Sequence, residues 1–282
     1  MTAAYGLRAD GSRTWRWAGL LAALLLACGM PPLMLTGCAG GTASLTGANE
    51  LPTAQDDTPA RKRARVRLQL AASYFQDGKN NVALDEIKRV MQTDPSFSDA
   101  YNLAGLIYQA LEQPDWAERH FQRAIALNPR DGSTLHNLGW LQCQKNQYGP
   151  ANQSFTQALA VPGYTDRAKT LMTQGICQAR AGNTGQAVAA LKRSYELDAS
   201  NPVTAYNLAL LLFKARQYDD ARAYLRRLND SEQANAQTLW LGLKIERAQD
   251  NRAVARQLGG QLLRRFGDSH EAALYQKGAF DE

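Results

Sequence analysis

The sequence predicts an all-α solenoid of about six stacked helix pairs, and three observations carry that expectation. Tyr74, Tyr108 and Gln142 stand 34 residues apart, and so do Ala83, Ala117 and Ala151. Ile87, Phe121 and Phe155 keep the same period, as do Pro95 and Pro129. A fixed spacing of this length marks helical units that bury their apolar faces against one another. Arrays of this kind usually bind rather than catalyse.

The start of the chain lies outside the array. Residues 1–37 read as a secretory signal, with Arg8, Arg13 and Arg16 before a mostly apolar run from Trp17 to Met30. Leu35-Thr36-Gly37-Cys38 follows. Small residues ending in Cys resemble the lipobox of bacterial lipoproteins. That resemblance implies cleavage before Cys38 and a covalent diacylglyceryl and N-acyl lipid on it, with no other cofactor. The competing reading is an uncleaved anchor, since Trp17 to Thr36 is almost long enough to span a bilayer. Pro31-Pro32 opposes one continuous spanning helix. Ala39 stands where an Asp would resemble an inner-membrane retention signal. The expected location is therefore the outer membrane, lipid-anchored and facing the periplasm.

Residues 38–60 are expected to form the lipidated Cys and a flexible tether. Gly40, Gly41, Ser44, Gly47, Pro52 and Pro59 leave little to bury. A linker of roughly 22 residues spans about 25 Å. The run Arg61-Lys62-Arg63-Ala64-Arg65 opens the folded domain, 61–282. It reads as a solvated first helical turn, or as a contact for anionic headgroups. Removing residues 1–37 subtracts three of 32 basic and one of 26 acidic residues, leaving a net charge near +4. That charge is spread along the chain, so the composition gives no nucleic-acid footprint.

The units follow in order: 64–97, 98–131, 132–165, 168–201, 202–231 and 235–266. A short capping helix around Glu271 to Gln276 closes the array. Gly105, Tyr108, Ala117, Phe121, Ala124 and Pro129 of the second unit match the tetratricopeptide pattern at six of eight positions. Small residues in that pattern let two helices approach, large ones fill the gap between units, and Pro ends the second helix. The third unit matches through Leu138, Gly139, Ala151, Phe155 and Ala158, and the fourth through Gly175 and Ala187. The fifth matches through Leu208 and Ala221, and the sixth through Leu241, Gly242 and Ile245. The resemblance implies a right-handed superhelix whose concave surface is lined by the first helix of each unit.

Lipobox, short tether and six repeats together resemble the PilF/PilW family of type IV pilus biogenesis and stability lipoproteins, pilotins for the pilus secretin. The segments Leu141-Gln142-Cys143, Gly175-Ile176-Cys177 and Leu239-Trp240-Leu241-Gly242 also look like this family, as does Ala160-Val161-Pro162-Gly163-Tyr164 followed by Arg167-Ala168. The resemblance implies a secretin subunit as partner, besides the membrane and other pilus or envelope proteins. Tyr148-Gly149-Pro150 departs from the pattern, and Gln142 and Gln178 stand where Tyr is common.

Cys28 leaves with the signal and Cys38 takes lipid, so Cys143 and Cys177 remain, one repeat length apart on adjacent first helices. Read from residues alone they are either a disulfide or two small buried side chains. The family resemblance implies the bridge, which would stabilise by roughly 3 kcal/mol.

The same resemblance sets which first-helix positions face inward: the second, fifth, ninth and twelfth. The resulting partner-binding candidates are Asn102, Leu106, Gln109, His136, Trp140, Ile176, Tyr206 and Leu210. They form an apolar stripe with a few amides, and an exposed apolar groove marks a binding site. Trp140 reads equally as groove or as core. His120, His136 and His270 fall on separate units without metal-ligand spacing, and His120 reads as a surface residue. No nucleophile elbow or phosphate-binding loop is present. No catalytic or metal-binding residue is therefore expected, and the chain reads as a binding protein. Two functions fit: a pilotin, or a general periplasmic scaffold bridging envelope proteins to the outer membrane.

Overall fold

The computed structural model describes residues 57–281. The expected signal 1–37, Cys38 and most of the tether lie outside the described residues. Among the described residues are 13 α-helices and no strand. Six antiparallel pairs run in chain order. They are α1 (Pro59–Gln76) with α2 (Asn80–Thr93), α3 (Ser98–Ala110) with α4 (Pro114–Leu127), and α5 (Gly132–Gln144) with α6 (Tyr148–Ala160). Then come α7 (Arg167–Arg180) with α8 (Thr184–Leu197), α9 (Pro202–Lys214) with α10 (Tyr218–Asn229), and α11 (Ala236–Ala248) with α12 (Arg252–Phe266). The single helix α13 (His270–Lys277) packs on α11 and α12.

One small residue near the start of each second helix lets the pairs close. Ala83, Ala117, Ala151, Ala187, Ala221 and Ala255 are each at most 5% exposed. The first helix answers with glycine in three units. A Cβ at Gly105 would lie 2.5 Å from the Phe121 ring, at Gly139 2.9 Å from Phe155, and at Gly175 2.6 Å from Leu191. The large side chain of the second helix thus rests directly on first-helix backbone.

The turn inside each pair uses one left-handed residue: Gly78, Glu112, Asn146, Gly182, Arg216 and Asp250. Their spacing is 34 residues except for 36 between Asn146 and Gly182. Those two extra residues belong to the irregular connection through Gly163, itself at φ 74°. Its Tyr164 ring covers Gly132, where a Cβ would lie 2.6 Å away.

Two expectations are corrected. Helix α1 begins at Pro59, inside the expected tether, because Thr58 Oγ1 accepts from the Arg61 amide at 3.1 Å and Pro59 takes the first helical position. Within the basic run Lys62 and Arg63 are exposed, while Arg61 and Arg65 are engaged within the fold. Arg61 pairs with Asp94 and lies over the Phe97 ring at 4.4 Å, and Arg65 pairs with Asp57 at 2.7 Å. The hydrogen bond from Arg61 holds the Asp94 carboxyl down at about 2.

The sixth unit is also set one residue off from its expected register. Counting back from the left-handed turn residue, Gly105, Gly139 and Gly175 correspond to Leu243, and Gly242 precedes it. The large partner moves too: where Phe121 and Phe155 stand, this unit has Gly259, covered by Tyr275 of α13.

Candidate functional site

The backbones of successive first helices approach one another closely, whereas those of successive second helices do not. The first helices therefore line the inside of the curve, and a ligand held there would meet α3, α5, α7 and α9. Seven of the eight candidate side chains are half-buried on these helices. Leu106 packs against the cluster of Phe121, Leu138 and Leu141. Trp140 packs against Cys143, Phe155 and Cys177, with the Arg180 guanidinium 5.1 Å over its ring. Ile176 is half-buried on α7. Tyr206 and Leu210 rest on the core of units four and five. Each apolar side chain thus has one face in the core and the other toward solvent, the amphipathic condition for a docking surface.

The amides are linked across units. Asn137 Nδ2 donates to Asn102 Oδ1 at 3.0 Å, and Gln109 Nε2 donates to Gln144 Oε1 at 2.6 Å. Asn137 and Gln144 were not singled out from sequence, although each stands 35 residues after its partner. An offset of one repeat plus one residue between amides was the available signal.

His136 is corrected from a groove residue to a core one: it is 6% exposed. Its Nδ1 lies 2.9 Å from Thr170 Oγ1, which also meets the Tyr164 hydroxyl at 2.8 Å. The irregular connection therefore reaches over the ring and seals it. Burial pushes the His136 pKa down to about 4. His120 likewise differs from expectation. It is half-buried, stacked on Tyr108 at 5.0 Å and near Tyr101 at 6.1 Å, and burial lowers its pKa.

Cys143 and Cys177 are joined by a disulfide, with Cα atoms 5.9 Å apart, inside the usual span for such a bridge. It links α5 to α7 next to Trp140. Gln142 and Gln178, the departures from the repeat pattern, are buried but satisfied. Gln142 Oε1 accepts from Ser154 Oγ at 2.8 Å, and Gln178 Nε2 donates to Asn152 Oδ1 at 2.8 Å. Among the described residues, no group of three or more His, Cys, Asp or Glu side chains is placed to hold a metal ion.

Comparison with known proteins agrees with this geometry. Tetratricopeptide-repeat family models match residues 98–131 and 178–243. The type IV pilus assembly protein PilF of Pseudomonas aeruginosa is 28% identical over 243 residues, covering 86% of this chain and 93% of PilF. The solved structure of Pseudomonas aeruginosa PilF superposes with a TM-score of 0.70 at 25% identity, covering 78% of this chain and all of that one. PilW, described as a widely conserved type IV pilus biogenesis factor, gives a TM-score of 0.68 at 29% identity, covering 76% of this chain and 99% of PilW. Fold and inner surface together define a tetratricopeptide-repeat solenoid. More particularly, the chain is similar to PilF and PilW over most of its length.

Proposed function

We propose that this protein is a pilotin of type IV pilus biogenesis. Lipidated at Cys38 and held at the outer membrane facing the periplasm, it binds a secretin subunit along its inner surface and keeps it there while the multimer assembles. No bond is made or broken in this role, and the protein is not an enzyme. The observation that carries the reading is the likeness to PilF over 93% of that protein's length, which spans every repeat rather than one. The half-exposed stripe of Leu106, Trp140, Ile176, Tyr206 and Leu210 supplies the surface such a partner would cover. A general periplasmic scaffold is the second reading. The cross-repeat disulfide favours the pilotin, because it belongs to the segments in which the chain resembles PilF and PilW.

The test is a deletion of the gene, followed by an immunoblot of outer membranes for detergent-resistant secretin multimers. The pilotin reading expects the multimers to vanish and to return with the wild type but not with Cys38→Ala. Normal multimers in the deletion strain would favour the scaffold.

A further inference from the structure

The stack of units has two ends, and they are finished differently. At one end α13 lies over α11 and α12. At the other, no described helix precedes α1. Twelve residues before the left-handed turn residue of each pair stand Val66, Ala100, Thr134, Thr170, Thr204 and Thr238. The last five are at most 2% exposed. Three of them meet the unit before them directly. Ala100 shares a cluster with Ala64 and Val90, the Thr170 hydroxyl lies 2.9 Å from His136, and the Thr204 hydroxyl lies 3.2 Å from Ser194. Val66 has no such unit to meet and is 67% exposed. Leu70, one turn on, is 43% exposed where Ala104, Leu138 and Leu208 are buried. Repeat arrays ordinarily end on a polar outer face, so two apolar side chains here leave this end of the stack uncovered.

The same helix carries an unbalanced charge. Arg61, Lys62, Arg63, Arg65 and Arg67 all lie in its first half, and α1 contains no acidic residue. The partial positive charge of a helix N-terminus disfavours cations there, so the run does not serve the helix itself. Arg61, Arg65 and Arg67 are engaged within the fold by Asp94, Asp57 and Glu86 respectively. Lys62 and Arg63 are exposed and form no ion pair among the described residues. At about 3.6 residues per turn, Lys62, Arg63, Val66 and Leu70 fall within an arc of about 100°. That arc points away from the buried Ala64 and Ala71, and it is cationic and apolar at once.

That combination suits an anionic bilayer. Cations settle at lipid phosphates and apolar side chains enter just beneath them, as in interfacial amphipathic helices. The place of α1 in the chain points the same way. It is the described helix nearest in sequence to Cys38, and Pro59 is its first residue. A linker of about 20 residues spans about 25 Å, so an anchor at Cys38 would hold this face within reach of the lipid. Two cations and two aliphatic side chains make a weak contact for a free protein, and tethering raises their effective concentration at the surface. This step rests on the lipid anchor proposed above, not on the identity of the protein partner.

We propose that the outer face of α1 is a membrane-contact site, which takes a bilayer surface carrying anionic phospholipids. Lys62 and Arg63 meet the lipid phosphates, Val66 and Leu70 lie among the headgroups, and the bilayer covers the end of the stack that no preceding unit covers. With α1 held there, the later units project away from the membrane.

The test uses the mature protein purified from membranes, with methyl-labelled Leu and Val, in nanodiscs containing a lipid with a gadolinium-loaded headgroup. In discs rich in phosphatidylglycerol, the Val66 and Leu70 methyl signals should broaden several-fold more than those of Val203 and Val254, which are exposed on later helices. Discs of phosphatidylcholine should abolish that excess, and so should Lys62→Glu combined with Arg63→Glu. Both residues are exposed, so this variant leaves the core intact. If intact mass shows no acyl chains, the anchor reading fails by itself, and the same comparison is made with the protein added to the discs in excess. The proposal is overturned by Val66 and Leu70 broadening no more than Val203 and Val254, or by equal broadening in phosphatidylcholine. Concentration-dependent shifts at Val66 and Leu70 without discs would assign the face to a second copy and overturn it as well.

Discussion

Cys143 and Cys177 are bonded across the α5–α7 boundary, and Trp140 of the inner surface packs directly on the sulfur-containing cluster. Here the connection between units carries its two extra residues, so the bridge holds together the one junction where the 34-residue period is broken. Breaking it with Cys143→Ser and Cys177→Ser together should lower stability by about 3 kcal/mol. Denaturant unfolding of oxidised wild type against the double variant measures this. A midpoint that does not move would mean that the packing of units three and four is sufficient alone.

The contact of Gly105 with Phe121 leaves no room for a methyl group, since a Cβ would lie 2.5 Å from the ring. Gly105→Ala should therefore cost about 1–3 kcal/mol, and pairing it with Phe121→Leu should recover part of that loss. Thermal unfolding of the single and double variants reads the coupling.

His136 makes stability depend on pH. Burial holds its folded pKa at about 4 against 6.5 for the free side chain. Between those values the unfolded chain binds a proton that the folded one does not, so stability is full above about pH 6.5 and falls as pH drops toward 4. The loss is about 3 kcal/mol by the size of the shift. His136→Gln should flatten unfolding free energy over this window, relative to wild type.

The turn residues separate two kinds of glycine. Gly182 sits at φ 80°, while Gly185 lies within α8 with open space around its Cβ position. Gly182→Ala should cost about 1 kcal/mol, because L-residues resist the left-handed region. Gly185→Ala should instead raise stability by about 0.5 kcal/mol through helix propensity. Chemical denaturation of both variants distinguishes the two outcomes.

The array was legible because its buried alanines and aromatic residues recur at a constant interval, which survives in a single sequence. What was lost involves partners that lie far away in the chain. Nothing near His136 announces that Thr170 and Tyr164 close over it. The register of the sixth unit was misread because Leu241-Gly242 matches the repeat pattern locally. The turn at Asp250 shows that Leu243 holds the glycine position, with Gly259 taking over the small role. Glu112 and Arg216 carry no sequence signal for a left-handed turn, whereas Asp250 is of a residue type that tolerates one. The start of α1 was written in Thr58-Pro59, a cap and a first-position proline, but the Gly- and Pro-rich composition before it masked that signal. The inner stripe at Leu106 and Trp140 followed from the repeat register, in which the two residues hold the same position of their first helices.

The inner surface is the centre of this account, and Leu106→Ala combined with Trp140→Ala examines it most directly. Expressed in the deletion strain, with helical content checked by circular dichroism, this variant is assayed by the same immunoblot for secretin multimers. The account predicts a fully helical protein at the outer membrane and a severe loss of multimers. Normal multimer levels with the double variant would contradict it, and would move partner binding elsewhere on the array.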